Sequence, residues 1–162
     1  MPVEMAETRY GIRVDEHSLH TDGAGAGEYR GGSGAVRVYR SMNENQTFTA
    51  SFGRNKWPVW GAAGGKDGSV NYFQFIDADG TVSEPMGIAA RRVMNTNDVV
   101  RMVTATGGGY GNPFKRPAEK VAMDVKNEYI TVEQAKADYG VLVDPETFKV
   151  LGLTEERQKA EK

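Results

Sequence analysis

The chain has 162 residues and a mass of 17.7 kDa, which predicts a single domain over residues 1–150 followed by a charged tail over residues 151–162. Lys and Arg number 20 against 22 Asp and Glu, and a net charge of -2 argues against nucleic acid or an anionic membrane as a partner. Cysteine is absent, which excludes disulfides and thiolate chemistry and is typical of a cytoplasmic protein.

The apolar composition favours strands over helices. Seventeen valines stand against four leucines, and β-branched side chains fit a pleated surface better than a helix. Leu, Ile, Val and Phe together number only 31, while glycine reaches 20 residues. We therefore expect a small β unit with a thin core, stabilised by association with a partner.

Alternating patterns predict most strands in the first two thirds of the chain. The pattern at 46–52 is the clearest, because Phe48, Ala50 and Phe52 share one face. Asp79-Gly80 is a typical hairpin turn. The predicted strands are 12–20, 36–40, 46–52, 70–77 and 98–104, with a long loop over 53–69.

Short helices are predicted after residue 113. Pro117 suits a first helical position, and the spacing that follows predicts a helix to Asn127. Thr131 and Gln134 form a capping-box pattern for a second helix, which ends near Gly140. Residues 141–143 could return to the sheet, and the chain from Thr154 onward is expected to fray. The predicted class is mainly β (α+β): a small β-sheet or barrel-like unit with two short C-terminal helices.

The two histidines make a poor metal site. His17 and His20 lie three residues apart on a predicted strand, so their side chains point to opposite faces. Asp15 could join His17, but two ligands do not hold an ion. We predict no metal ligand in this chain.

Two glycine runs resemble phosphate loops in composition only. The run over 23–34 is followed by a strand rather than the helix that a phosphate loop requires. The run over 106–111 precedes a helix with Lys115 and Arg116 at its start, so its backbone N–H groups are weak candidates for anion binding. The candidates for anion binding are Gly107, Gly108, Gly109 and Gly111. The alternative is that the loop over 106–111 packs against a neighbour.

No catalytic group is assigned. Gly32-Ser33-Gly34 lacks the setting of a serine nucleophile, and nothing indicates that Asp138 and Asp144 face each other. Several aromatic residues could stack bases, but without a basic stripe they are more often core or interface residues. They are Trp57, Trp60, Tyr72, Phe73 and Phe75.

A series of linked segments, in order, resembles the C-terminal part of the hydantoinase B family, which includes 5-oxoprolinase and the acetone and acetophenone carboxylases. The resemblance covers residues 2–144. The segments are Pro2–Tyr10, Gly25–Gly32, Trp60–Gly65, Thr106–Pro113, Val121–Val125, Val132–Ala135 and Asp138–Val141.

The resemblance implies a small, non-catalytic subunit of an ATP-dependent ketone carboxylase that phosphorylates a carbonyl oxygen. It implies two partners, a larger hydantoinase B-like subunit and a hydantoinase A-like ATP-binding subunit, which would carry the ATP, magnesium and divalent metal. The family's metal cluster lies in a portion absent here, and segment 84–93 lacks an expected lysine, so no catalytic residue carries over. A subunit of an ATP-hydrolysing hydantoinase or 5-oxoprolinase is one alternative, and a free-standing structural or binding module is another.

Overall fold

The computed structural model describes residues 2–160. Within that range the chain forms two compact units, each assembled from three separate stretches. Unit 1 takes residues 2–20, 34–57 and 70–105, and unit 2 takes residues 21–33, 58–69 and 106–160.

Unit 1 is a β structure with one short helix. The elements are α1 (Val3–Tyr10), β1 (Ile12–His20), β2 (Gly34–Ser41), β3 (Gln46–Ser51), β4 (Tyr72–Ile76), β5 (Ile88–Met94) and β6 (Val99–Val103). Strands β1, β2, β6 and β4 lie in that order in an antiparallel sheet, while β3 and β5 form a separate antiparallel pair.

Aromatic residues from β4 of the four-stranded sheet and from β3 of the strand pair form a core cluster of unit 1. Phe73 and Phe75 are buried, and Phe48 packs edge-on against both, with ring centroids 5.8 and 5.5 Å away. Such edge-to-face contacts are favourable beyond the area they bury. Valines of β2 and β6 make a second buried cluster, which includes Val36 and Val103. The alternation seen in the sequence is thus the alternation of buried and exposed faces.

Unit 2 combines irregular glycine-rich segments with short helices and a β-hairpin. Its core includes Val121, Val125, Tyr139 and Val141. The elements are α2 (Ala118–Lys126), α3 (Val132–Tyr139), β7 (Val141–Val143), β8 (Val150–Leu153) and α4 (Glu155–Ala160), after a 3-10 turn at Pro113–Lys115.

The mainly β, α+β class and the two helices after residue 113 are confirmed. The described sheets are open rather than closed as a barrel. The capping box of α3 is present: Thr131 Oγ1 accepts from the Gln134 amide at 3.2 Å, and the Gln134 side chain accepts from the Thr131 amide at 2.8 Å. No helix in residues 2–160 combines the length and apolar character needed to cross a membrane.

Five elements were missed or placed differently. Helix α1 and strands β5 and β8 were not predicted, and β7 pairs with β8 instead of rejoining the main sheet. The expectation of fraying after Thr154 is wrong for the described residues, because α4 forms there and its Arg157 is buried. Residues 161–162 lie outside the described range. A single domain over 1–150 stays a prediction.

Candidate functional site

Three glycine-rich segments of unit 2 lie side by side and are called here the glycine layer: residues 25–32, 60–68 and 106–111. The segment 106–111 is central. Tyr110 exchanges two backbone hydrogen bonds with Tyr29, of 3.0 and 2.9 Å, on one side. On the other side, the Ala62 amide donates to Gly109 O and the Gly111 amide donates to Ala62 O, both at 2.9 Å. The central segment is therefore held by hydrogen bonds on both sides.

Glycine is required in this layer because backbones approach too closely for a Cβ atom. A methyl group at Gly27 would lie 2.6 Å from the Tyr110 amide nitrogen, and one at Gly31 would lie 2.6 Å from the carbonyl carbon of Gly107. Neither position has room for a side chain. The glycine runs thus have a structural role inside the unit.

The candidate anion-binding glycines use their backbone donors within the chain. The amides of Gly107, Gly109 and Gly111 donate to the carbonyl oxygens of Gly32, Lys66 and Ala62, at 2.8, 2.9 and 2.9 Å. At Gly108 the main chain packs against Trp60 instead, and an added methyl would lie 2.6 Å from that carbonyl carbon. Anion binding at these glycines stays a prediction, but three of the four backbone amides already donate to carbonyl oxygens of the chain.

The glycine layer presents exposed aromatic side chains. Tyr29, Trp60 and Tyr110 are 63%, 69% and 57% exposed. The rings of Tyr29 and Tyr110 are tilted against each other with centroids 6.2 Å apart. Trp60 and Tyr110 come from paired segments, because Ala62 forms a parallel bridge with Tyr110. We call these three residues the aromatic surface.

A cluster of buried charges in unit 2 connects the glycine segment 25–32 to helix α2. Asp124 Oδ2 accepts from Arg116 Nη2 at 2.8 Å and from Nε at 3.0 Å, and Arg30 Nε lies 3.6 Å from the same oxygen. Arg30 also stacks over the Tyr129 ring, with its guanidinium carbon 4.7 Å from the centroid. Arg157 donates to the carbonyl oxygens of Tyr139 and Arg116. These contacts fasten the glycine segment that contains Arg30 to α2.

The Tyr139 side chain is almost completely buried beside this cluster. Burial raises the pKa of its phenol above the ordinary value of 10.0, so the hydroxyl is neutral at physiological pH. A small cavity of about 120 Å³ borders Tyr139, and the ion pair between Lys66 Nζ and Asp138 Oδ1, 2.5 Å long, lines the same cavity. The cavity has the size of a few water molecules.

Unit 1 contains an open cleft of about 400 Å³ at the ends of β2 and β3. Its lining includes Phe48 and Val100 from the core, together with Tyr10 and Tyr39. Two of its polar members already have partners: Arg40 donates to Asp15, and Gln46 donates to the Tyr10 carbonyl oxygen. The cleft offers apolar surface and no convergent set of reactive groups.

The histidines and carboxylates singled out in the sequence have local partners. His20 Nδ1 lies 2.9 Å from Thr104 O, and Arg37 Nε donates to His17 Nε2 at 3.3 Å. Asp144 accepts from the amides of Glu146 and Thr147, whereas Asp138 pairs with Lys66. Among residues 2–160, no three His, Asp or Glu side chains are grouped as metal ligands would be.

The aromatic candidates divide between core and surface. Phe73 and Phe75 are buried and Tyr72 packs against the valine cluster of β2 and β6, whereas Trp57 and Trp60 are exposed. Tyr29 and Tyr110 were missed in the sequence. Tyr110 is flanked by Gly109 and Gly111, and Tyr29 lies two residues from Gly27 and from Gly31. A tyrosine within a glycine-rich segment is the signal that could have found them, since little else in such a segment can bury its ring.

Comparison with known proteins gives the decisive match. A family model described as hydantoinase B/oxoprolinase matches residues 1–113, which is more than half of the chain. The chain belongs to the hydantoinase B/oxoprolinase family. The resemblance read from the sequence segments is thereby confirmed.

Curated relatives in this family are much longer than the chain. An uncharacterised protein of Methanocaldococcus jannaschii is 34% identical over 142 residues, with 88% of this chain and 25% of the relative covered. The B component of a putative D-/L-hydantoinase of Pseudomonas sp. is 31% identical and the beta component of the caprolactamase of Pseudomonas jessenii is 30% identical, covering 88% of this chain and 24% and 25% of their own lengths. The chain thus spans about a quarter of these relatives.

Solved structures extend the likeness to both units. The ATP-dependent caprolactamase of Pseudomonas jessenii matches 98% of the chain and 27% of its own length, with a TM-score of 0.75 and 29% identity. Acetone carboxylase in a nucleotide-free state matches 99% of the chain and 25% of its own length with a TM-score of 0.75, at 17% identity. The second likeness concerns the fold alone.

Proposed function

We propose that the chain is a non-catalytic component of an ATP-dependent enzyme of the hydantoinase B/oxoprolinase family. Its partners would be a larger hydantoinase B-like chain and a hydantoinase A-like ATP-binding chain. The observation that carries the proposal is the match of nearly the whole chain to a quarter of two enzyme components, one named for a hydantoinase and one for a caprolactamase. A cytoplasmic location stays a prediction of the cysteine-free composition.

The geometry of unit 2 supports a scaffolding role. The amides of Gly107, Gly109 and Gly111 and the charges around Asp124 have partners inside the unit, so these groups hold the fold together. ATP, magnesium and a divalent metal would be held by the partner chains. There, transfer of a phosphoryl group to the substrate's carbonyl oxygen would make the carbonyl carbon more electrophilic.

A cyclic amide is the substrate class that we favour. The relatives at 31% and 30% identity are named for hydantoin and caprolactam, both cyclic amides, whereas acetone carboxylase shares the fold at 17% identity. The ketone carboxylase remains the second candidate, because its structure matches 99% of the chain with the same TM-score. Both substrates present a carbonyl oxygen for phosphorylation.

Reconstitution tests this proposal. The chain, purified from its host with the chains bound to it, is assayed for ATP hydrolysis with hydantoin, caprolactam or acetone plus bicarbonate. We expect turnover only when the hydantoinase A-like and B-like chains are present, and a loss of turnover when this chain is omitted. Turnover by the chain alone, or full activity of the partners without it, would contradict the proposal. A monomer isolated without partners would favour the free-standing module instead.

A further inference from the structure

The aromatic surface differs from ordinary exposed side chains in being rigidly mounted. The segments that carry Tyr29 and Tyr110 exchange hydrogen bonds of 3.0 and 2.9 Å, and the segment that carries Trp60 packs its carbonyl group against Gly108. Because its segments are hydrogen-bonded to one another at close approach, we expect the main chain of the glycine layer to have little freedom to lose when a partner binds. A preorganised surface loses less entropy on association than a mobile loop does.

Tyrosine and tryptophan are among the residues that contribute most to protein–protein affinity. They bury a large area with only two side-chain torsions, and their polar tips can still find a hydrogen-bond partner. Each residue of the aromatic surface is more than half exposed, so its accessible area can be buried by a partner. A glycine scaffold that positions such residues matches the anatomy of a binding hot spot.

Under the proposed function, the larger hydantoinase B-like chain is the candidate occupant. Three curated relatives devote about three quarters of their length to polypeptide that this chain does not contain. Nucleic acid is a poorer occupant, since stacking platforms for single strands are set in basic grooves and this chain has a net charge of -2. Glu28 adds a carboxylate beside Gly111, next to Tyr110, which also disfavours a phosphate backbone.

We infer that the aromatic surface is the site at which the larger hydantoinase B-like chain docks. This inference rests on the proposed function and adds to it the residues that make the contact. Tyr29, Trp60 and Tyr110, the residues assigned to the docking site, all belong to unit 2.

The test measures affinity for the larger hydantoinase B-like chain of the same genome. Trp60→Ala and Tyr110→Ala should each weaken binding about tenfold or more, whereas Tyr110→Phe should retain it, because the ring supplies the buried area. Trp57→Ala is the matched control, since Trp57 is 78% exposed but belongs to unit 1. We expect its affinity to equal that of the wild type.

The outcomes separate the two proposals. If the wild-type chain binds and the alanine variants bind equally well, the docking site is wrong while the proposed function stands. If the wild-type chain does not bind the larger chain, the proposed function itself is contradicted. Equal weakening by Trp57→Ala, or tight binding of single-stranded oligonucleotides to the aromatic surface, would also overturn the inference. Unchanged circular dichroism and melting temperature confirm that each variant is folded.

Discussion

The Asp124 carboxylate is the counterion of two buried guanidinium groups of unit 2, those of Arg30 and Arg116. Its side chain is 10% exposed, and those of Arg30 and Arg116 are 14% exposed. Charges removed from water in this way are tolerated only while they are paired, so the loss of one partner costs far more than the pair contributes.

We therefore expect Asp124→Asn to lower the free energy of unfolding by about 3 kcal/mol, because Arg30 and Arg116 would keep their charge without a counterion. Urea unfolding measures this change. Glu155→Gln is the control: Glu155 forms an exposed pair with Lys159 at 3.9 Å, and exposed pairs contribute little. Equal effects of the two substitutions would show that the Asp124 cluster is not important for stability.

Two adjacent glycines provide a sharp test of the glycine layer. At Gly31 an added methyl group would collide with the Gly107 carbonyl, whereas at Gly32 it would meet nothing within 4 Å. Gly31→Ala should destabilise the chain by about 2 kcal/mol or more through overpacking. Gly32→Ala should change stability by less than about 1 kcal/mol. Thermal unfolding of the two variants tests this expectation. Similar melting temperatures would show that the main chain of the glycine layer shifts to accommodate the methyl group at position 31.

At the scale of elements, strand β1 lies at the edge of the four-stranded sheet and carries a cross-strand charge network. Asp15 accepts from Arg13 of the same strand at 2.6 Å and from Arg40 Nε of β2 at 2.8 Å. Burial acts to raise the pKa of Asp15, but the hydrogen bonds from Arg13 and Arg40 outweigh it and hold the pKa below the ordinary 3.8. The folded state thus favours the charged form.

The pH dependence of stability follows from that direction. A depressed pKa stabilises the fold above the unfolded-state value of 3.8, and the contribution is lost as pH falls through the folded-state pKa. Asp15→Asn should therefore be less stable than the wild type at neutral pH, and the difference should shrink below pH 3.8. Urea midpoints measured from neutral pH down to about pH 3 test this. A difference that stays constant with pH would show that the charge of Asp15 is not the cause.

The elements that the sequence predicted are those that bury one face. Strand β2 and the centre of β3 alternate because one side of each packs on a core, and α3 is indicated by its capping box. Helix α1 buries no residue, so it leaves no apolar period to read. In β5 most side chains are exposed and Arg91 has φ of 53°, which breaks the alternation. Residues 88–94 form a strand because they pair with β3, and pairing between distant segments cannot be read from a local sequence pattern.

The candidate site was less accessible to prediction for the same reason. The glycine runs were visible, but their partners come from three distant segments, and only the folded chain shows that Gly107 bonds to Gly32. Arg116 and Asp124 are close in sequence, just before α2 and within it. Arg30 comes from a distant segment, and no spacing rule predicts that it lies beside Asp124. Contacts between distant segments carry no local signal.

At the scale of the whole molecule, the path of the chain links the two units. The chain leaves unit 1 to form segments 21–33 and 58–69 of unit 2 and returns to unit 1 after each of them, so neither unit is a continuous stretch. If unit 1 unfolded alone, these segments would lose the fixed ends that hold them, and the glycine layer would have to close much longer loops. Longer loops raise the entropic cost of folding.

We therefore expect residues 1–150 to unfold as the single domain predicted from the sequence, despite the two compact units. Calorimetry of the full chain should give one transition whose van't Hoff and calorimetric enthalpies agree. Gly31→Ala in the glycine layer and Asp15→Asn in β1 should then shift the same transition, although they lie in different units. Two resolved transitions, each moved by one substitution only, would show that the units are independent domains.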